Sequence, residues 1–111
     1  MSTKTTPATT DAALAALRRA VAGGNEIRVS LDTVGASVSV LPTRQQARAT
    51  CEARVAAEWT TPISLADLTN MIEAELQRPI AYGRAASIAE ACAIATAEIK
   101  AYLKRAKQAA A

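Results

Sequence analysis

A chain of 111 residues carrying a net charge of +3 has room for one ordinary domain, and not for a catalytic domain beside a regulatory one. Half of it is apolar, but Ala supplies 28 positions, Phe is absent, and Leu, Ile and Val together number only 21, so large core-forming side chains are scarce. His is absent as well, which removes the commonest general base, the usual partner of a nucleophilic Ser or Cys, and the commonest transition-metal ligand; the expectation is a protein that binds rather than an enzyme, with no cofactor and no metal.

Residues 1–10, Met1 to Thr10, are Ser/Thr-rich with Lys4 and read as a polar tail without the apolar core of a secretory signal. No later stretch approaches the ~18 consecutive apolar residues of a membrane span. These readings exclude a membrane protein and place the chain in the cytoplasm, or in a virion assembled there.

Thr10 or Asp11 can cap a first helix over about 11–22, in which Ala13, Leu14, Leu17, Ala20 and Val21 follow the 3.6-residue period before Gly23-Gly24 stops it. The period then changes to two. Ile27, Val29 and Leu31 alternate with Arg28, Ser30 and Asp32, and Val38 and Val40 alternate with Ser37 and Ser39, around an Asp32-Thr33-Val34-Gly35 type I turn. The spacing predicts a hairpin over 26–41 with Ile27, Val29, Leu31, Val38 and Val40 on its buried face.

Thr43 caps a second helix whose stripe Ala47, Cys51, Val55 and Trp59 recurs at four-residue steps, with Arg44, Arg48, Glu52, Arg54 and Glu58 mostly off it. Ser64 with Asp67 resembles a capping box and opens a third helix through Leu65, Leu68, Ile72 and Leu76 to about Arg78. Pro79 and Gly83 mark a loop holding Ile80 and Tyr82. Ser87 precedes a last helix with Ile88, Cys92, Ala95, Ile99, Tyr102, Leu103 and Ala106 along one side, ending in frayed Lys-Gln-Ala repeats.

The fold class expected is α+β and mostly helical: a helix, a β-hairpin and three helices in one small domain over 11–107, with one core and a frayed tail at 108–111. A core so poor in large side chains would supply only ~3–5 kcal/mol, and association is a common remedy. Cys51 and Cys92 lie on apolar stripes and read as unbridged packing residues.

Carboxylate pairs offer little chemistry: Glu73 and Glu75 point to different sides of a helix, and Glu90 and Glu98 read as solvated. Gly23-Gly24-Asn25 runs from helix to strand, the reverse of a phosphate loop. The candidate partner contacts are the aromatics Trp59, Tyr82 and Tyr102; Trp59 anchors the second helix if buried and is a contact hot spot if exposed. Lys100, Lys104, Arg105 and Lys107 with Arg44 and Arg48 are the candidate phosphate contacts, although cations also complement a helix C-terminus and Glu52, Glu58, Glu73 and Glu75 interrupt the basic surface.

The leading expectation is a non-enzymatic interaction or assembly protein, docking on itself or on a larger assembly. Nine Arg against four Lys and the Ala load fit a GC-rich bacterial or phage coding source, hence a phage- or mobile-element-type virion component or an inhibitor of a host protein. The alternative is a nucleic-acid accessory protein that uses the basic last helix.

Overall fold

The computed structural model describes residues 9–21 and 23–110, with side chains through residue 108. Most of the expected N-terminal tail, residue 22 at the expected end of the first helix, and residue 111 lie outside the described residues. The elements run α1 (Thr10–Ala20), β1 (Glu26–Asp32), β2 (Gly35–Leu41), α2 (Arg44–Glu58), α3 (Leu65–Glu75), β3 (Ala81–Ala85) and α4 (Ile88–Ala110). This is an α+β fold, mostly helical. No helix among the described residues is long and apolar enough to cross a membrane.

The helix starts follow from local chemistry. Thr9, one position before the expected cap, accepts from the Ala12 amide; Thr43 and Gln46 form a full capping box; Ser64 accepts from Asp67 N–H; and Ser87 accepts from Glu90 N–H while its hydroxyl donates to the Glu90 carboxylate. Each satisfies an amide that the first turn leaves without an intrahelical partner. α4 stays helical through Ala110, into the 108–111 stretch expected to fray.

Residues 81–85 are a strand, not the expected loop. The sheet is antiparallel in the order β1-β2-β3, with Ala36 opposite Ala85, Val38 opposite Gly83 and Val40 opposite Ala81. Ala81, Gly83 and Ala85 face inward and are small, because α4 lies almost on the backbone here. A Cβ on Gly83 would collide with the Ala91 carbonyl oxygen and stand 2.8 Å from the Ala95 nitrogen. Gly83 therefore sets how closely α4 approaches the sheet.

The expected single core is divided in two. Ala13 and Leu17 of α1, Ala36, Val38 and Val40 of β2, Ala81 of β3, and Ala91, Cys92, Ala95 and Ile99 of α4 form the main cluster. A second, smaller cluster joins α2 to α3 through Ala47, Cys51 and Ile72, with Leu68, Met71 and Leu76 packed around it. The radius of gyration, 16.3 Å, exceeds the ~13 Å of a compact chain this long. The separate helical pair and the 23-residue α4 account for the elongation.

Asn25 joins the two parts. Gln46 Oε1 is already engaged by the Thr43 amide in the capping box, and Asn25 Nδ2 donates to that oxygen at 2.8 Å and to the Leu41 carbonyl at 2.9 Å. Both partners are acceptors, so only the amino end of the Asn25 amide can face them. One side chain thus links the α1–β1 connection, the end of β2 and the first turn of α2.

Candidate functional site

The inner face of the hairpin is buried on one strand only. Ala36, Val38 and Val40 of β2 are fully covered, whereas on β1 Ile27 is half-buried, Val29 is 43% exposed and Leu31 is 68% exposed. This corrects the expectation that all five alternating residues are core. The register places Val29 opposite Val38 and Leu31 opposite Ala36, so the face assignment is right and the coverage is what differs. α4 packs on β3 and β2, and leaves the far end of β1 open. β1 is also an outer strand: among the described residues no strand pairs with the other side of its backbone. Val34 in the adjoining turn is also exposed.

The opposite face of the sheet is polar. Arg28, Ser39 and Tyr82 form one cross-strand row, and Ser30, Ser37 and Arg84 the next. Arg84 reaches over β2 to Asp32, whose other carboxylate oxygen accepts from the Val34 and Gly35 amides and so closes the turn. The hydrogen bond from Arg84, followed by the one from Val34 N–H, holds the Asp32 carboxyl below the usual carboxylate range.

A cleft of about 500 Å³ runs between α2 and the second half of α4, lined by Gln46, Ala49, Thr50, Ala53, Tyr102, Arg105 and Ala106. Ala49 and Ala53 lie on the side of α2 away from its buried stripe, and their small size opens the space. Tyr102, a candidate partner contact, and Arg105, a candidate phosphate contact, meet here. The other two aromatics stand elsewhere. Tyr82 projects from the polar sheet face, and Trp59 follows the last turn of α2 with 43% of its surface exposed. Trp59 is therefore not a core anchor: burial along its stripe is complete at Ala47 and Cys51 and fades beyond, since α3 covers only that part of α2.

The basic candidates separate as well. Arg44 pairs with Glu73 and Arg48 with Glu52, both exposed. On α4, Lys100, Lys104 and Lys107 fall on one stripe by their spacing, and Arg105 turns toward the cleft. Among the described residues these four cations have no acidic partner.

Burial raises both thiols above their ordinary range, and neither cysteine is bridged. That suppresses the thiolate, the reactive form. Among the described residues no group of three or more His, Cys, Asp or Glu side chains could hold a metal ion. The exposed strip of β1, with Val29 and Leu31, is what residue-type reasoning misses; the signal available was that a two-strand hairpin has more apolar face than short Ala-rich helices can cover. Comparison of the chain with family models, with curated proteins and with solved structures finds no match.

Proposed function

We propose that this chain is a non-enzymatic interaction or assembly protein that docks on protein through β1. The observation that carries this reading is the exposure of Val29 and Leu31 beside a strand edge that, among the described residues, has no pairing strand, while their cross-strand neighbours Val38 and Ala36 are completely buried. An apolar strip next to free backbone N–H and C=O groups fits strand addition: the backbone supplies affinity and the side chains supply selectivity. The Ala-rich composition and the Arg preference are what support a place in a phage- or mobile-element-type assembly, or as an inhibitor of a host protein.

Light scattering over a concentration series, together with affinity capture from a candidate bacterial host, tests the reading. The expected result is self-association or a captured protein, lost in the Leu31→Asp variant. A monomer that captures nothing, or association indifferent to Leu31→Asp, would reject it.

The stripe Lys100, Lys104 and Lys107 favours a second reading, contact with nucleic-acid phosphates. Its reach is limited by the pairing of Arg44 and Arg48 with Glu73 and Glu52, so a basic surface continuing onto α2 has little free charge.

A further inference from the structure

We infer that the partner of β1 is a second copy of this chain, added antiparallel across a two-fold axis with Ser30 opposite Ser30 of the second copy, so that two three-stranded sheets become one of six strands. The inference rests on the proposed docking role of β1 and names the occupant.

Charge complementarity selects the occupant, and together with the pairing of Val29 and Leu31 it selects the register. In an antiparallel pair, directly opposite residues share a face, so only registers that keep Arg28, Ser30 and Asp32 on the polar side bury Val29 and Leu31 together. Centring on Ser30 sets Arg28 against Asp32 of the second copy twice, and Val29 against Leu31 twice. Centring on Val29 would set Glu26 against Asp32 twice. Centring on Arg28 would set two arginines against each other and leave Leu31 outside the paired region. Like charges directly opposite oppose pairing and unlike charges favour it. Centring on Ile27 would also oppose unlike charges, Glu26 against Arg28, but would leave Leu31 outside the paired region, so the Ser30 register is the one of these that both opposes unlike charges and pairs Val29 with Leu31.

The groups involved have capacity to spare. Arg28 uses its Nε on Glu26 of the same strand at 2.7 Å, which leaves both terminal amino groups available. Asp32 accepts from Val34 and Gly35 through Oδ1 and from Arg84 through Oδ2, and an ionised carboxylate has about four acceptor positions. β1, Glu26-Ile27-Arg28-Val29-Ser30-Leu31-Asp32, contains no proline and no lysine, two of the usual devices that keep an edge strand from pairing. A two-fold contact of this kind closes on itself and uses up the edge, so it ends at a dimer.

A charge swap tests the register in the full-length protein. Arg28→Asp alone sets acid against acid, and Asp32→Arg alone sets base against base, so each should raise the dimer dissociation constant by about tenfold or more. An equal mixture of the two variants restores both opposite pairs and should recover association to within a factor of about three of wild type. Because Asp32→Arg also removes the turn's carboxylate and could unfold the hairpin, a second measurement stands apart from it. Ser30→Cys should form an interchain disulfide under mild oxidation much faster than Val29→Cys, while the native thiols Cys51 and Cys92 stay buried. A monomeric wild type overturns the inference even if another protein is captured through β1, in which case the docking role stands and the second copy does not. Faster bridging at position 29 than at 30, or a mixture of folded variants no tighter than either alone, also overturns it.

Discussion

Arg84 on β3 holds Asp32 at the end of β1 across the full width of the sheet, its Nη2 lying 2.9 Å from Oδ2 above the central strand. The two outer strands are therefore tied by a side-chain contact as well as by β2. Ionised Asp32 favours the folded hairpin, because its carboxyl is held below its unfolded range. That contribution is present above the unfolded range and disappears as the pH falls through the folded value. The contact is exposed, so the effect is local and weakens with salt. In an NMR titration of the side-chain carboxyl, Arg84→Gln should move the Asp32 midpoint upward; an unchanged midpoint would show that Arg84 does not set it.

Gly83 governs the approach of α4. Replacing it with Ala puts a methyl group against the Ala91 and Ala95 backbone, and backbone atoms cannot swing aside as the end of a side chain can. Gly83→Ala should cost about 3 kcal/mol in urea unfolding, near the upper end of overpacking penalties. Gly23→Ala serves as the comparison: its added carbon meets nothing within 4 Å, but φ is +86° there, and the left-handed backbone costs a residue with a side chain roughly 1–2 kcal/mol. Equal losses at the two sites would remove Gly83 from its proposed role.

The hairpin and the helix starts were legible because each writes its own pattern: strict alternation in Ile27 to Leu31 and Val38 to Val40, and Thr43, Ser64 and Ser87 where amides need acceptors. β3 was not, since Ala81, Gly83 and Ala85 lack the bulky branched side chains of a typical strand; they are small because α4 presses on them, a tertiary demand invisible locally. For the same reason Leu31 read as core, and the stripe of the second helix left Trp59 open between core anchor and contact. Periodicity reports which face a residue is on, not whether a neighbour extends far enough to cover it. Of the candidate site residues, Lys100, Lys104 and Lys107 share a stripe that their spacing already shows, whereas Tyr102 and Arg105 meet in a cleft that depends on the placement of α2 against α4.

The two cysteines report on the two clusters. Both are fully buried, but Cys51 belongs to the small α2–α3 cluster and Cys92 to the main one. Fewer buried contacts mean cheaper local opening. Under native conditions Cys51 should react with a thiol reagent well before Cys92, and both should be slow compared with the unfolded chain. Cys92→Ser should cost ~1–3 kcal/mol, from a poorly paired buried hydroxyl, and more than Cys92→Ala. Faster labelling of Cys92 than of Cys51 would contradict this division of the core.

The basic end of α4 separates the two functional readings. Changing Lys100, Lys104, Arg105 and Lys107 to Gln should leave protein docking through β1 intact and cost ~1–2 kcal/mol in total, through lost complementarity to the helix dipole. Tight binding of wild type to DNA or RNA that falls with salt at about −0.9 per neutralised duplex phosphate, and is lost in this variant, would promote the nucleic-acid reading instead.

Val38→Asp buries an unpaired charge and should unfold the protein at a cost above ~4 kcal/mol. Leu31→Asp, on the same face but exposed, should leave the thermal unfolding of the isolated chain within about 0.5 kcal/mol of wild type and abolish docking. If both variants unfold equally, Leu31 is core in solution and the open strip does not exist.

Amide hydrogen exchange across residues 26–32 tests the docking role of β1 most directly. Protection of this strand should rise with protein concentration, or on addition of a captured partner, and should stay at its low level in Leu31→Asp under the same conditions. If β1 exchanges at one rate throughout while protection appears along α4 or in the cleft at Tyr102, the binding surface lies there and the role assigned to β1 is wrong.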